Sequence, residues 1–252
     1  MPRYFIELAY NGSTFSGWQR QPHSPTVQQT IEEAMSLMLR TDIQVMGCGR
    51  TDTDVHADEY FAHFDFAGEF PKSFTQRLNR FLPASILIKA IYAVGEDEHA
   101  RFDAQLRAYR YEIDFRKNPF QQSTVTVFPF HGKVDVELLQ QTADLIGSYG
   151  EFTPFCKTNS DAYTMFCQVS RAEWVLGDDH WTFHISANRF LRGMVRLIVG
   201  TCLKVGQGKM KIEEVKTALD NQSPLPTAWS APAAGLYLTR IDYPQKKHWI
   251  PI

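Results

Sequence analysis

The strongest constraint on the fold is an order of strand and helix patterns that runs through the chain twice. From Arg3 to Tyr10, Tyr4, Ile6, Leu8 and Tyr10 alternate with Phe5, Glu7 and Ala9, a period of two that only an extended strand uses. In the following "SPTVQQTIEEAMSLMLR", Val27, Ile31, Ala34, Met35, Met38 and Leu39 fall on one helical face behind a Thr26-x-x-Gln29 capping box. Residues 43–48 and 60–66 read as strands, 72–82 as a helix and 86–94 as a strand. The second pass repeats the order. It has a strand over 107–115, a helix over 136–146, strands over 169–176 and 181–187, a helix over 189–204 and a strand over 236–243, with a further short helix over 212–219. Two βαββαβ passes predict an α+β protein of two ferredoxin-like halves with antiparallel sheets flanking a central cleft. The expected division is 1–103 and 104–252. The two passes share an order of elements but no repeated sequence.

A length of 252 residues, with 44% hydrophobic and 21% charged residues, suits one or two domains with full cores. No stretch approaches the roughly 18 apolar residues of a membrane span. "MPRYFIELAY" opens directly on strand alternation without the regions of a signal peptide, so an untargeted, cytoplasmic chain is expected. Cys48, Cys156, Cys167 and Cys202 lie far apart without metal-ligand spacing, and reduced, mostly buried thiols are expected.

The chemistry concentrates in "GCGRTDTDVHADEYFAHFDF", residues 47–66. Its polar part connects two expected strands, where functional groups are commonly displayed. Gly47 and Gly49 allow tight or positive-φ backbone around Arg50 and Asp52. A rigidly held aspartate can act as nucleophile, general base or metal ligand, and Asp52 or Asp54 can equally cap the loop by accepting from backbone amides. The net charge of −2 gives no overall attraction to nucleic acid, yet residues 187–212 hold Arg189, Arg192, Arg196, Lys204, Lys209 and Lys211 and no acid. Such a block is either a solvated face or an electrostatic footprint.

The residues around this loop resemble the G-R-T-D-A-G-V-H-A motif of TruA-type tRNA pseudouridine synthases. "AYNGSTFSGWQRQ", "TVQQTIEEA", "LNRFLPASI", "HARFDAQLRAYRYEI", "FLRGMVRLIVGTCLKVGQGK" and "SAPAAGLYLTRIDY" continue the resemblance in the family's order over nearly the whole chain. It implies isomerisation of uridine to pseudouridine in tRNA, in the anticodon stem-loop, without a cofactor. Asp52 would be the catalytic carboxylate, and Arg50 would fill the space of the flipped base and contact phosphate. Tyr109 would stack on the target base, although it shares a strand face with Tyr111, Ile113 and Phe115 and, without the resemblance, reads as core. Arg196 would keep the carboxylate ionised, and Leu236 would wall the base pocket. Arg189, Arg192, Lys204, Lys209 and Lys211 become candidates for RNA backbone contact, with Arg20, Arg77 and Arg80 weaker ones. The family implies a homodimer with tRNA across both subunits.

Four features depart from the family pattern. Thr53 and Asp54 stand for Ala-Gly, Tyr60 for a common Gln, and "GEF" at 150–152 for His-Asp-Phe. Asp54 is expected to cap the loop through its carboxylate. "DTDVH" also mimics the D-x-D of haloacid dehalogenase-like phosphatases, but these need an apolar strand before the first aspartate and a Mg²⁺ site, and "GCGRT" stands there instead. A catalytically silent RNA-binding module is the other alternative, since βαββαβ units also bind RNA.

Overall fold

The computed structural model describes residues 1–157 and 163–252. In chain order the elements are β1 (Arg3–Tyr10), α1 (Val27–Leu39), β2 (Met46–Gly47), β3 (His56–Asp65), α2 (Phe74–Phe81), β4 (Ile86–Val94), β5 (Leu106–Asp114), β6 (Thr126–Val127), α3 (Val136–Gly147), β7 (Val169–Leu176), β8 (His180–Ala187), α4 (Met194–Gly206), α5 (Ile212–Asp220), β9 (Leu236–Asp242) and β10 (Ile250–Pro251). The expected α+β class and both strand–helix passes are present. The chain divides into two compact units, 1–106 with 237–252, and 107–236.

In the first unit β4, β1, β3 and β2 lie side by side in that order, all antiparallel, which is the ferredoxin-like arrangement. Tyr4 faces Phe64 across β1 and β3, and Ile6 faces Ala62. Alternate side chains then serve two different layers. Ile6 and Leu8 are fully buried in β1, and α1 buries Val27, Ile31, Ala34 and Met35. Phe5 and Phe61 point the other way and pack beneath Tyr243 and Trp249 of the C-terminal segment, with Phe5 and Trp249 centroids 4.7 Å apart. Each such ring removes on the order of 2–3 kcal/mol of apolar surface from water. The "KKHWIPI" tail is therefore structural, since Ile250 and Pro251 extend the sheet by pairing with Ala93 and Tyr92 of β4.

Two expectations fail here for a visible reason. The strand expected over 43–48 shrinks to Met46–Gly47 because α1 side chains take its backbone groups. Val45 N donates to the buried Glu32 carboxylate, Gln28 Nε2 donates to Val45 O, and Ile43 N donates to Ser36 Oγ. Half of the capping box forms. Gln29 N donates to Thr26 Oγ1 at 3.3 Å, but the Gln29 amide turns to Glu33 at 2.7 Å instead of back to Thr26.

In the second unit β7, β8 and β5 form an antiparallel set, Trp174 opposite Phe183 and Tyr109 opposite Ile185, and β6 adds parallel pairing at the end of β5. Helix α3 packs on β7 and on α4. The helix expected from Arg189 begins only at Met194, because Gly193 sits in the left-handed region at φ 72° and ends the preceding turn. Of α4 only Arg196 and Lys204 escape full burial, so it is the core helix of its unit and not an amphipathic surface helix. The strand that closes the second pass, β9, belongs from Tyr237 onward to the first unit, where Tyr237 and Leu238 pair in parallel with His56 and Ala57. That pair and the β5–β6 pair depart from the antiparallel pairing expected throughout. No helix among the described residues is long and apolar enough to cross a membrane.

Candidate active site

The connection between β2 and β3, residues 48–55, is anchored at almost every residue. Cys48 N donates to Phe61 O at 2.8 Å, Tyr60 Oη to Gly49 O at 2.5 Å, and Trp18 N to Thr51 O at 3.2 Å. The buried Thr51 hydroxyl bonds the Tyr10 hydroxyl at 2.8 Å. Val55 N closes the turn onto Asp52 O at 3.2 Å. Beneath the end of the loop, His56 is fully buried, accepts from Gly12 N at its Nδ1 and stacks on Tyr237 with centroids 4.6 Å apart. Because Nδ1 accepts, the proton of the neutral ring belongs on Nε2.

Thr51 is buried within this segment, between Arg50 and Asp52. Arg50 is exposed and Asp52 half-buried. The cation and the carboxylate singled out in the sequence thus stand on one segment whose backbone is held at Cys48, Gly49, Thr51 and Val55.

The glycines act otherwise than expected. Neither Gly47 nor Gly49 has positive φ. Gly47 is required for space, since a Cβ there would lie 2.1 Å from Tyr60 Oη and 2.5 Å from Trp18 Nε1, whereas a Cβ on Gly49 would meet nothing within 4 Å. The left-handed glycine that matters is Gly17, at φ 87°, where a Cβ would come within 2.5 Å of Thr51 O. Asp54 also departs from expectation. Its carboxylate makes no hydrogen bond among the described residues, so it is not a side-chain cap, and it stands instead in the left-handed region at φ 63°. Asp is one of the few non-glycine residues that tolerate this.

In the second unit Tyr109 differs from the residues that share its strand face. Tyr111, Ile113 and Phe115 are buried, while Tyr109 is half-exposed and meets Phe190 edge to face at 5.2 Å. Arg196, in the first turn of α4, donates from Nε to Ala231 O at 2.6 Å, and Ala231 N returns a bond to Arg196 O at 3.0 Å. The segment 229–232 is held further by Tyr111 Oη, which donates to Pro232 O, and by Gly200, whose missing Cβ would lie 1.9 Å from Trp229 O. Leu236 is buried.

The basic block does not form one face of one helix. Arg189 and Arg192 precede α4, Lys204 donates to Thr227 O at 2.9 Å, exposed Lys209 lies 5.9 Å from the Phe130 ring centroid, and Lys211 precedes α5 with its backbone N bonded to Glu214. Arg77 and Arg80 are exposed on α2, and Arg20 pairs with Glu32 at 3.2 Å. Cys48, Cys167 and Cys202 are buried free thiols and Cys156 is half-buried, with burial pushing Cys167 up to about 11.

Tyr10, Trp18 and Gly17 are the site residues that reading the sequence missed. Their only signal was a position inside the "AYNGSTFSGWQRQ" block.

A profile of the tRNA pseudouridine synthase family matches residues 143–244. The chain is 43% identical to tRNA pseudouridine synthase A of Porphyromonas gingivalis over 249 residues, covering 97% of this chain and 98% of that one. It is 42% identical over 253 residues to the Azobacteroides pseudotrichonymphae enzyme of the same name, covering 99% of each, and 40% identical over 247 residues to that of Bacteroides fragilis, covering 97% of each. Identity at this level over full length sets aside the phosphatase and silent-module alternatives: the chain belongs to the tRNA pseudouridine synthase family.

Proposed function

We propose that this isomerase converts uridine to pseudouridine in the anticodon stem-loop of tRNA with Asp52 as nucleophile. The observation that supports the reading is the pinned 48–55 loop, which carries Arg50 and Asp52 on backbone held at the Gly49 and Thr51 carbonyls. In the reaction the bond from uracil N1 to ribose C1′ breaks, the base turns, and a bond from C5 to C1′ forms, with the C5 proton ending on N1. Nothing is gained or lost overall, and no redox cofactor is called for. A carboxylate suits such a cycle because it can bond to an electrophilic carbon and later leave. Arg50 fills the space of the extruded base and meets a phosphate, Tyr109 stacks on the base, Leu236 walls its pocket, and Arg196 keeps the nucleophile ionised. Arg189, Arg192, Lys204, Lys209 and Lys211 meet the RNA backbone, and a cytoplasmic homodimer is the working form.

The test is Asp52→Ala and Asp52→Asn, assayed for pseudouridine by chemical mapping and for tRNA affinity by filter binding. Turnover should fall by at least about a thousandfold while affinity stays within several-fold, because binding is spread over many phosphate contacts. Turnover near wild type would remove Asp52 from the mechanism.

A further inference from the structure

We infer that Tyr60 is a positioning residue for the isomerisation, acting through the Gly49 carbonyl, with Trp18 and Tyr10 as its support; this rests on the reading of residues 49–52 as the catalytic segment. Tyr60 lies on β3, flanked on one side by β1 through its pairing with Leu8. It is fully buried, so its hydroxyl must find a partner inside the protein. The partner is the backbone carbonyl immediately before Arg50, at 2.5 Å.

Its ring lies nearly parallel to Trp18, with centroids 4.1 Å apart and planes at 27°, and meets Tyr10 edge-on at 5.5 Å. Trp18 holds Thr51 O through its backbone N, and Tyr10 holds the Thr51 hydroxyl. Three aromatic residues from separate segments therefore fix Gly49 and Thr51, the two residues that flank Arg50 and precede Asp52. The fit is tight enough that Gly47 cannot carry a Cβ beside the Tyr60 hydroxyl and the Trp18 indole. None of the three is required to touch RNA. Their effect is on where the loop stands, and a displacement well under 1 Å is enough to spoil a near-attack geometry.

The experiment compares Tyr60→Phe with Tyr243→Phe. Tyr243 lies in the same unit and also donates its hydroxyl to a backbone carbonyl at 2.5 Å, that of Ala100, away from the loop. Single-turnover rates on a tRNA transcript, kcat and KM, tRNA affinity and Tm are measured for both variants beside Asp52→Ala. The expected result is a fall in single-turnover rate and kcat of roughly ten- to a hundredfold for Tyr60→Phe, with KM and affinity within about twofold. Tyr243→Phe should lower Tm to a similar degree and keep its rate within about twofold.

Equal rates for the two variants, or a loss for Tyr60→Phe confined to affinity, would overturn the positioning role. An inactive Asp52→Ala beside a fully active Tyr60→Phe would overturn that role alone. A fully active Asp52→Ala would overturn the reading of the loop, and the role of Tyr60 with it.

Discussion

Gly47 shows how a single atom governs the candidate site. A methyl group there would occupy the space of the Tyr60 hydroxyl and the Trp18 indole nitrogen, at 2.1 and 2.5 Å, both held by stacking and hydrogen bonds that resist yielding. Gly47→Ala should therefore cost about 2 kcal/mol or more in denaturant titrations and remove most turnover, whereas Gly49→Ala, with open space at its Cβ, should fold with little loss. Asp54 poses the opposite case. At φ 63° with no side-chain hydrogen bond among the described residues, it pays a backbone cost that glycine avoids. Asp54→Gly should leave stability unchanged or raise it by up to about 1 kcal/mol, and Asp54→Val should lower it by about 1–2 kcal/mol, both read as shifts in Tm.

At the scale of elements, the far end of β3 carries a pH-sensitive joint. Buried His63 accepts from Ala100 N at 3.1 Å and lies 4.5 Å from the His99 ring, between centroids. Burial, helped by His99, lowers His63 to about 4, and burial also lowers His99. The unfolded chain binds protons near the ordinary 6.5 while the folded unit refuses them, so stability falls as pH drops from about 6.5 towards 4. Replacing His63 by Phe should flatten this limb by at most about 3 kcal/mol, measured as Tm against pH. In the second unit burial opposes charge on His180, but hydrogen bonds to Asp114 and Glu112 outweigh it and raise the histidine. That contribution is present at low pH and is lost as pH rises through the raised value, so His180→Gln should make acid sensitivity steeper.

For the whole molecule, a net charge of −2 means that attraction to tRNA must come from local groups. Affinity should fall steeply with salt, and replacing Arg189, Lys209 or Lys211 should flatten the logarithmic slope by about one unit each. Lys204 also donates to Thr227 O, so Lys204→Gln should lower stability as well as flatten the salt slope. Salt titrations of all four variants decide this, and an unchanged slope throughout would place the RNA elsewhere.

The sequence by itself determined the order of elements and singled out the polar loop between β2 and β3. Strands β1, β4 and β7 kept their expected ends because period-two alternation is local and is enforced by burial of one face. Arg50 and Asp52 stand out for a similar reason, since their residue types and the glycines around them lie within six positions. Tertiary structure decided what depended on distant partners. The 43–48 strand was shortened by side chains of α1, the start of α4 was set by a left-handed Gly193, and Asp54 proved to be a backbone feature. The support of the loop comes from Tyr10, Trp18 and Tyr60, which are up to 50 positions apart and meet only when β1 and β3 pair. No pattern along the chain records such a meeting, because it is created by the packing of the folded unit.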